Sequence, residues 1–414
     1  MRREVCVYGR GGLRPTMAIM AIWKNRWIGR LSRVTSGGNF IPEIDGLRFL
    51  AIGSVLLFHV NYALGRAYHW TTKPWEQTVS NALSRGTLGV ELFFVISGFI
   101  LALPFARHYL YGGKTVEIRR YYLRRVTRLE PPYILTLILF YAASWFMGDA
   151  DMKGRYVSTF LVRLFYLHGL VYADAPALNG VTWSLEIEVQ FYLLMPLLAQ
   201  VFRLPRVVRR GGLAVAVVLL PFLRLQGRMD FTVLSQLGLF LAGFLFADIY
   251  LEMRGDKAVE NPRYDLAAVV LFATAIGWPW PDPISLWTLR HMLPTVILIF
   301  LYLMFRGRWL RRFFSWKPVY IIGGMCYSIY LIHYPFMAEF GRVMARKLPE
   351  LGYVPALAIG VLVWVPVILV IATVFFVLIE HPCMDYAWPQ KLWARIRGQG
   401  AAEGQAERRD ADKN

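Results

Sequence analysis

Apolar residues fall along this chain in runs of about 17 to 25 positions, broken by short polar stretches, the length a helix needs to cross a bilayer. Nine such runs and a shorter one over 211–223 predict ten helices, over about 44–63, 86–106, 131–148, 182–201, 211–223, 231–251, 264–280, 286–305, 319–338 and 354–379. Pro131 and Pro132 suit the start of the third. An eleventh run, 156–170, is short and broken by Arg163 and His168. Were it to cross, the basic stretch 203–210 would fall outside, so it reads as a re-entrant or interfacial segment. The connections include an aromatic loop with Tyr68, Trp70 and Trp75, and a strongly basic loop over 107–130. The fold class that follows is all-α: a polytopic membrane protein of about ten transmembrane helices. A basic, disordered cytoplasmic tail is expected over 1–40, a membrane domain over 41–382, and a second cytoplasmic tail over 383–414.

Composition supports this and excludes alternatives. The 414 residues are 57% hydrophobic and 18% charged, which no ordinary soluble domain matches. The first apolar run follows about 40 polar residues without a small-residue cleavage site after it, so no removable signal peptide is expected. The net charge of +19 would suggest nucleic acid in a soluble protein. With the N-terminus inside and ten helices alternating, however, 33 of the 46 Lys and Arg fall inside, 12 outside, and Arg48 in the membrane. That is the positive-inside bias, which places both termini in the cytoplasm and argues against a nucleic-acid partner. Cys6, Cys326 and Cys383 match no metal or redox spacing, and no metal site is expected.

A few polar groups interrupt the apolar runs: Arg48, His59, Glu91, Glu186, Glu188 and His333. Singly, such a group more often pairs with a neighbouring helix or sits at the interface. Six in one bundle point to a shared cavity, because each is costly in lipid. Arg48 and His59 are eleven residues apart, about three turns, so they share a helix face roughly 16 Å apart along its axis. His59 suits a general base, with Glu91 or Glu188 to orient it. Glu186 and Glu188 lie about 200° apart around a helix, so at most one faces that cavity. Arg119, Arg120, Arg124, Arg125 and Arg128 crowd one basic stretch, with Arg125 and Arg128 on one helical face. They suit either anionic lipid headgroups or the phosphates of a cytosolic cofactor.

The stretches DGLRFLAIGSVLLFH, GTLGVELFFVISGFILA, YYLRRVTRLEPPY, TWSLEIEVQFYLLMPLL, YSIYLIHYPF and IEHP occur in that order. Together they resemble the membrane acyltransferase-3 family, whose members O-acylate surface polysaccharides, lipid-linked saccharides and macrolides. The likeness covers about 41–382. It implies acyl-CoA, by default acetyl-CoA, as donor, and a carbohydrate, glycolipid or glycosylated metabolite as acceptor, in the inner membrane. Arg48 and His59 match the family's essential first-helix pair. Arg125 and Arg128, with Arg124 beside them, match an RxxR element taken to hold the CoA phosphates. Glu91 matches the acid of its second-helix motif. Trp183, Ser184, Glu188, Gln190, Phe191 and Tyr192 match a further motif, in which Val189 replaces a commonly second acid and Glu186 is extra. His333 matches a His-x-Pro element with Pro335, and Tyr330 lies in the same stretch. The chain stops soon after the tenth run and so resembles the stand-alone type.

The resemblance implies that His59 acts as general base for transfer from acyl-CoA to a hydroxyl. The competing class is a transporter of a glycan or small metabolite, in which the same His and Glu residues form a proton relay.

Overall fold

The computed structural model describes residues 31, 40–68, 73–147, 153–172, 179–223, 231–255, 260–277, 283–385 and 387–397. These residues form helices and no strand. In chain order the helices are α1 (Pro42–Ala67), α2 (Pro74–Ser84), α3 (Leu88–Tyr111), α4 (Ile118–Met147), α5 (Lys153–Leu164), α6 (His168–Tyr172), α7 (Trp183–Leu198) and α8 (Arg206–Leu219). There follow α9 (Val233–Gly255), α10 (Pro262–Gly277), α11 (Pro283–Arg306), α12 (Trp309–Phe314), α13 (Lys317–Gly324) and α14 (Cys326–Lys347). The last are α15 (Tyr353–Cys383), which contains π turns over Gly360–Trp364 and Phe376–Glu380, and α16 (Trp388–Ile396).

The protein is an all-α polytopic membrane protein. Six helical stretches among the described residues are long and apolar enough to cross a bilayer, and a seventh if α13 and α14, bent by 67°, count as one span. The remaining expected spans are also helical, as α8, α10 and α11. At 14 and 16 residues, α8 and α10 cover only about 21–24 Å, less than the hydrocarbon thickness of about 30 Å. The apolar part of α11 is His291–Arg306. Segment 156–170 becomes α5 and α6, joined through Tyr166 at a φ of 59°, a left-handed conformation that a bulky side chain rarely adopts. Most of the expected tails lie outside the described residues. Within the C-terminal tail, however, α16 is ordered, and Trp388 Nε1 donates to Thr127 O (3.0 Å).

Two expected loops are corrected. The aromatic loop after α1 contains α2, whose Pro74 start and Glu76 at its third position supply a good N-terminus. The basic stretch 107–130 is mainly helix: it closes α3 and opens α4, and Pro131 and Pro132 sit inside α4 rather than at its start. Proline is tolerated in a membrane helix when another group takes the carbonyl it leaves without its intrahelical donor. Pro131 releases the carbonyl of Thr127, which is the one that Trp388 takes. The same rule holds at Pro196, where Tyr121 Oη donates to Tyr192 O (3.3 Å). It holds again at Pro335, where Asn179 Nδ2 donates to Leu331 O (3.1 Å). Each of these three prolines thus ties its helix to another part of the chain.

The centre is packed by small residues and aromatics. A Cβ on Gly98 of α3 would lie 2.2 Å from Phe240 O of α9, and one on Gly243 of α9 would lie 2.3 Å from Val95 O of α3. The two backbones touch in a way only glycine permits. Phe191 stacks on Phe240 at 3.8 Å beside them. α1 lies against α3, α13 and α14, with Gly323 pressed on Asp45 O. The outer side of α15 presents Leu362, Val370 and Leu378, 65–74% exposed, as a lipid-facing surface.

Candidate active site

The central cavity is about 400 Å³, of the size that holds a small ligand, and its wall comes from α1, α3, α4, α7 and α14. It brings together Arg48, His59, Glu91, Arg125, Arg128, Trp183, Ser184, Glu188, Tyr192 and Tyr330, ten of the residues singled out by sequence. Others do not line it, Gln190 and Phe191 among them. Arg124 lies off the wall, and His333 is fully buried behind His59.

His59 is the residue best placed for proton transfer. Its Nδ1 lies 2.9 Å from Val55 O, and a carbonyl only accepts, so Nδ1 carries the hydrogen. His333 Nδ1 faces two carbonyls, Tyr330 O (2.8 Å) and Ile329 O (3.1 Å), and is protonated for the same reason. That leaves His333 Nε2 as an acceptor 3.3 Å from His59 Nδ1. The two rings meet edge to face with centroids 4.8 Å apart. Backbone and His333 together fix the His59 tautomer whose Nε2 bears the lone pair, the form a general base requires. The expected orienting acids do not fill this role. Glu188 accepts from Ser97 Oγ (2.7 Å) and Tyr192 Oη, and Glu91 lines the cavity without being among the contacts of His59. Only one acid of the 186/188 pair faces the cavity: Glu186 turns away and accepts from Gly169 N–H (2.9 Å), which ties α6 to α7.

The cationic end of the cavity is built from α1 and α4. Arg48 pairs with Asp45, one turn earlier on α1. The Arg125 guanidinium lies over the rings of Tyr121 (5.8 Å) and Tyr192 (5.6 Å). Arg128 Nη2 lies 3.7 Å from Glu380 Oε1, and Glu380 Oε2 accepts from Ser328 N–H (3.1 Å) and Ser328 Oγ (2.5 Å). On the opposite wall, Tyr330 Oη donates to Val181 O (2.6 Å) and lies 3.0 Å from Ser184 Oγ. The Val181 turn is braced from behind by Arg163, wholly buried, which donates to Thr182 Oγ1. Arg311, outside the spans, donates its Nε to Glu43 (2.9 Å), a carboxylate that holds the guanidinium above its ordinary pKa and clips α12 to the start of α1. Among the described residues, no three His, Cys, Asp or Glu side chains gather as a metal set.

The model of the acyltransferase domain, third type, matches residues 41–381. The chain belongs to the acyltransferase-3 family. Curated relatives include the peptidoglycan O-acetyltransferase OatA of Listeria monocytogenes, 26% identical over 75% of this chain and 52% of that protein. The O-acetyltransferase OatA of Staphylococcus aureus is 24% identical over 72% of this chain and 51% of that protein. The chain thus spans about half the length of these two. BcsY of Komagataeibacter xylinus, named as a candidate membrane-bound transacylase, is 26% identical over 86% of each chain. No solved structure matches.

For this acyltransferase-3 chain, several site residues were missed in the sequence. Asp45 sits three residues before Arg48 in DGLR, a spacing that predicts a helical ion pair. Glu380 is an acid at the end of the last apolar run and qualifies by the argument that selected Glu91. Ser97, Tyr327 and Tyr334 carry no such mark; helical periodicity alone does not separate a cavity-lining tyrosine from a core one.

Proposed function

We propose that this protein transfers an acyl group, acetyl by preference, from acyl-CoA to a hydroxyl of a carbohydrate-containing acceptor at the inner membrane. The observation that carries the reading is the placement of one tautomer-fixed imidazole, His59, in a cavity whose far end bears Arg48, Arg125 and Arg128. The peptidoglycan O-acetyltransferase and the O-acetyltransferase among the relatives support the same class of reaction.

In this reading Arg125 and Arg128 bind the phosphates of the donor, with Arg124 adding positive potential from beside the wall. The pantetheine arm follows the cavity so that the thioester reaches His59. His59 Nε2 takes the acceptor hydroxyl proton as the oxygen attacks the thioester carbonyl. The C–S bond breaks, and the same proton passes to the departing thiolate to give free CoA. His333 steadies the imidazolium that forms in between. Arg48, with Glu91 near it, orients the donor and offsets charge on the carbonyl oxygen. Glu188, with Ser97 and Tyr192, and the Trp183–Ser184–Tyr330 wall shape the channel around the thioester.

The test uses purified wild type and His59→Ala in nanodiscs, with acetyl-CoA affinity and release of free CoA measured on both. General-base help is typically worth 10²–10⁴-fold, so His59→Ala is expected to bind acetyl-CoA normally and to release CoA at least about a hundredfold more slowly. Near-normal release by His59→Ala overturns the mechanism. Failure of both proteins to bind acetyl-CoA removes the donor and favours the transporter.

A further inference from the structure

His59 has cavities on two sides. Besides the central one it lines a second of about 290 Å³, with Tyr62 and Tyr334 shared between the two as a throat. This second compartment is walled by the end of α1 and the later part of α14, which Gly341 packs closely against Ala63 O. Its charged lining is two arginines, Arg66 and Arg342. Arg66 lies seven residues past His59, about 10 Å further along α1 and away from the cationic end that holds Arg48. Its Nη1 donates to Tyr62 Oη (3.2 Å) and its guanidinium lies over the same ring at 5.8 Å. Arg342 carries an ion pair with Glu339, both of them exposed at the rim. An aromatic throat with one guanidinium stacked above it and a second on the facing helix makes a fork suited to an oxyanion on a sugar-sized molecule.

We propose that this second compartment is the acceptor subsite and that it selects an anionic carbohydrate, one bearing a carboxylate or phosphate, with Arg66 and Arg342 holding the anion while a hydroxyl of the same molecule reaches His59. The assignment of the acceptor rests on the reading of His59 as the transferring base; the anion selectivity does not. A neutral sugar of the same size would offer neither guanidinium an anionic partner, and Arg66 would keep only Tyr62 Oη and Arg342 only its exposed pair with Glu339. The subsite thus chooses among acceptors by charge, at a distance from the hydroxyl that reacts.

The experiment is equilibrium binding to the full chain in nanodiscs of uncharged lipid, with glucose, glucuronate and glucose 1-phosphate as probes. Both anions, or one of them, are expected to bind at least about tenfold tighter than glucose, the worth of one charge-assisted hydrogen bond. Arg66→Gln with Arg342→Gln is expected to remove that advantage and leave glucose unchanged. Ala338→Trp, which fills the compartment, should abolish binding of the anions. Which anion binds more tightly separates a uronic-type acceptor from a phosphate-linked one. Equal affinity for all three probes, no binding of either anion, or an advantage that survives the double substitution overturns the proposal. Acetyl-CoA affinity measured on the same samples keeps the two readings apart. Anion selection without acetyl-CoA binding defeats the transfer reading alone, and the converse defeats the anion subsite alone.

Discussion

Two clusters of arginines in this protein have nearly the same sequence signature and opposite settings. On α8, Arg209 Nε lies 2.5 Å from Asp248 Oδ2, Arg210 Nη2 lies 2.7 Å from both Asp248 Oδ1 and Glu252 Oε2, and Arg206 lies 2.6 Å from Glu252. Guanidinium and carboxylate groups there interlock, and they staple α8 to α9. On α4, Arg125 rests on two tyrosine faces, and Arg128 has Glu380 at the longer distance of 3.7 Å, both on the wall of a cavity. One cluster uses its charge within the protein; the other holds its charge toward a space. Basic residues read from sequence are therefore not one class, and it is the acids on neighbouring helices that separate a staple from an anion site.

The largest expected effect comes from breaking the staple. Asp248→Leu leaves Arg209 buried without its carboxylate, and a buried ion that loses its partner typically costs about 3–5 kcal/mol. Thermal or denaturant unfolding in detergent should show a loss of that order, with acetyl-CoA affinity of the folded protein unchanged. Adding Arg209→Leu should recover much of the loss. An Asp248→Leu protein as stable as wild type would mean that the two clusters do not differ in the way described. The reverse pattern is expected at α4. Arg125→Ala removes a charge-assisted contact worth about 1.5–3 kcal/mol, so acetyl-CoA should bind about 10- to 100-fold more weakly. Stability should fall by no more than about 1 kcal/mol, the worth of the stacked guanidinium. Unchanged donor affinity combined with a large stability loss would make Arg125 a staple as well.

Periodicity made much of this legible in the sequence. The apolar runs predict the long helices because crossing a bilayer needs a fixed length. The shared face of Arg48 and His59, and the divergence of Glu186 from Glu188, follow from 100° per residue and hold in the structure. What was not legible depends on how separate helices register. His333 meets His59, and Glu380 meets Arg128, only because α14 and α15 pack where they do. Pro131 reads as a helix start, whereas the carbonyls released by Pro131, Pro196 and Pro335 are each taken by a side chain from elsewhere in the chain. The basic stretch before Pro131 read as a loop for a related reason. Local propensity favours a boundary at proline, and the Trp388 contact that allows the helix to continue is remote in sequence.

The smallest effect gives the sharpest test of the cavity cluster, because it alters how an arginine is held and leaves the arginine in place. Glu380 divides its carboxylate: Oε2 serves Ser328, and Oε1 faces Arg128. In Glu380→Gln the amide oxygen can keep the Ser328 contacts, and the amide nitrogen then turns toward Arg128, where it attracts nothing. Arg128 keeps its charge and loses its orientation. Acetyl-CoA affinity should fall about three- to tenfold, less than for Arg125→Ala, with turnover at saturating donor within about twofold of wild type. A structural role alone would lower stability without that split between affinity and turnover. The decisive comparison is the double variant. If Glu380 acts through Arg128, then Glu380→Gln costs no further affinity once Arg128→Ala is present. If the two losses add in full, Glu380 influences the donor by another route and the α4 arginines are held without it.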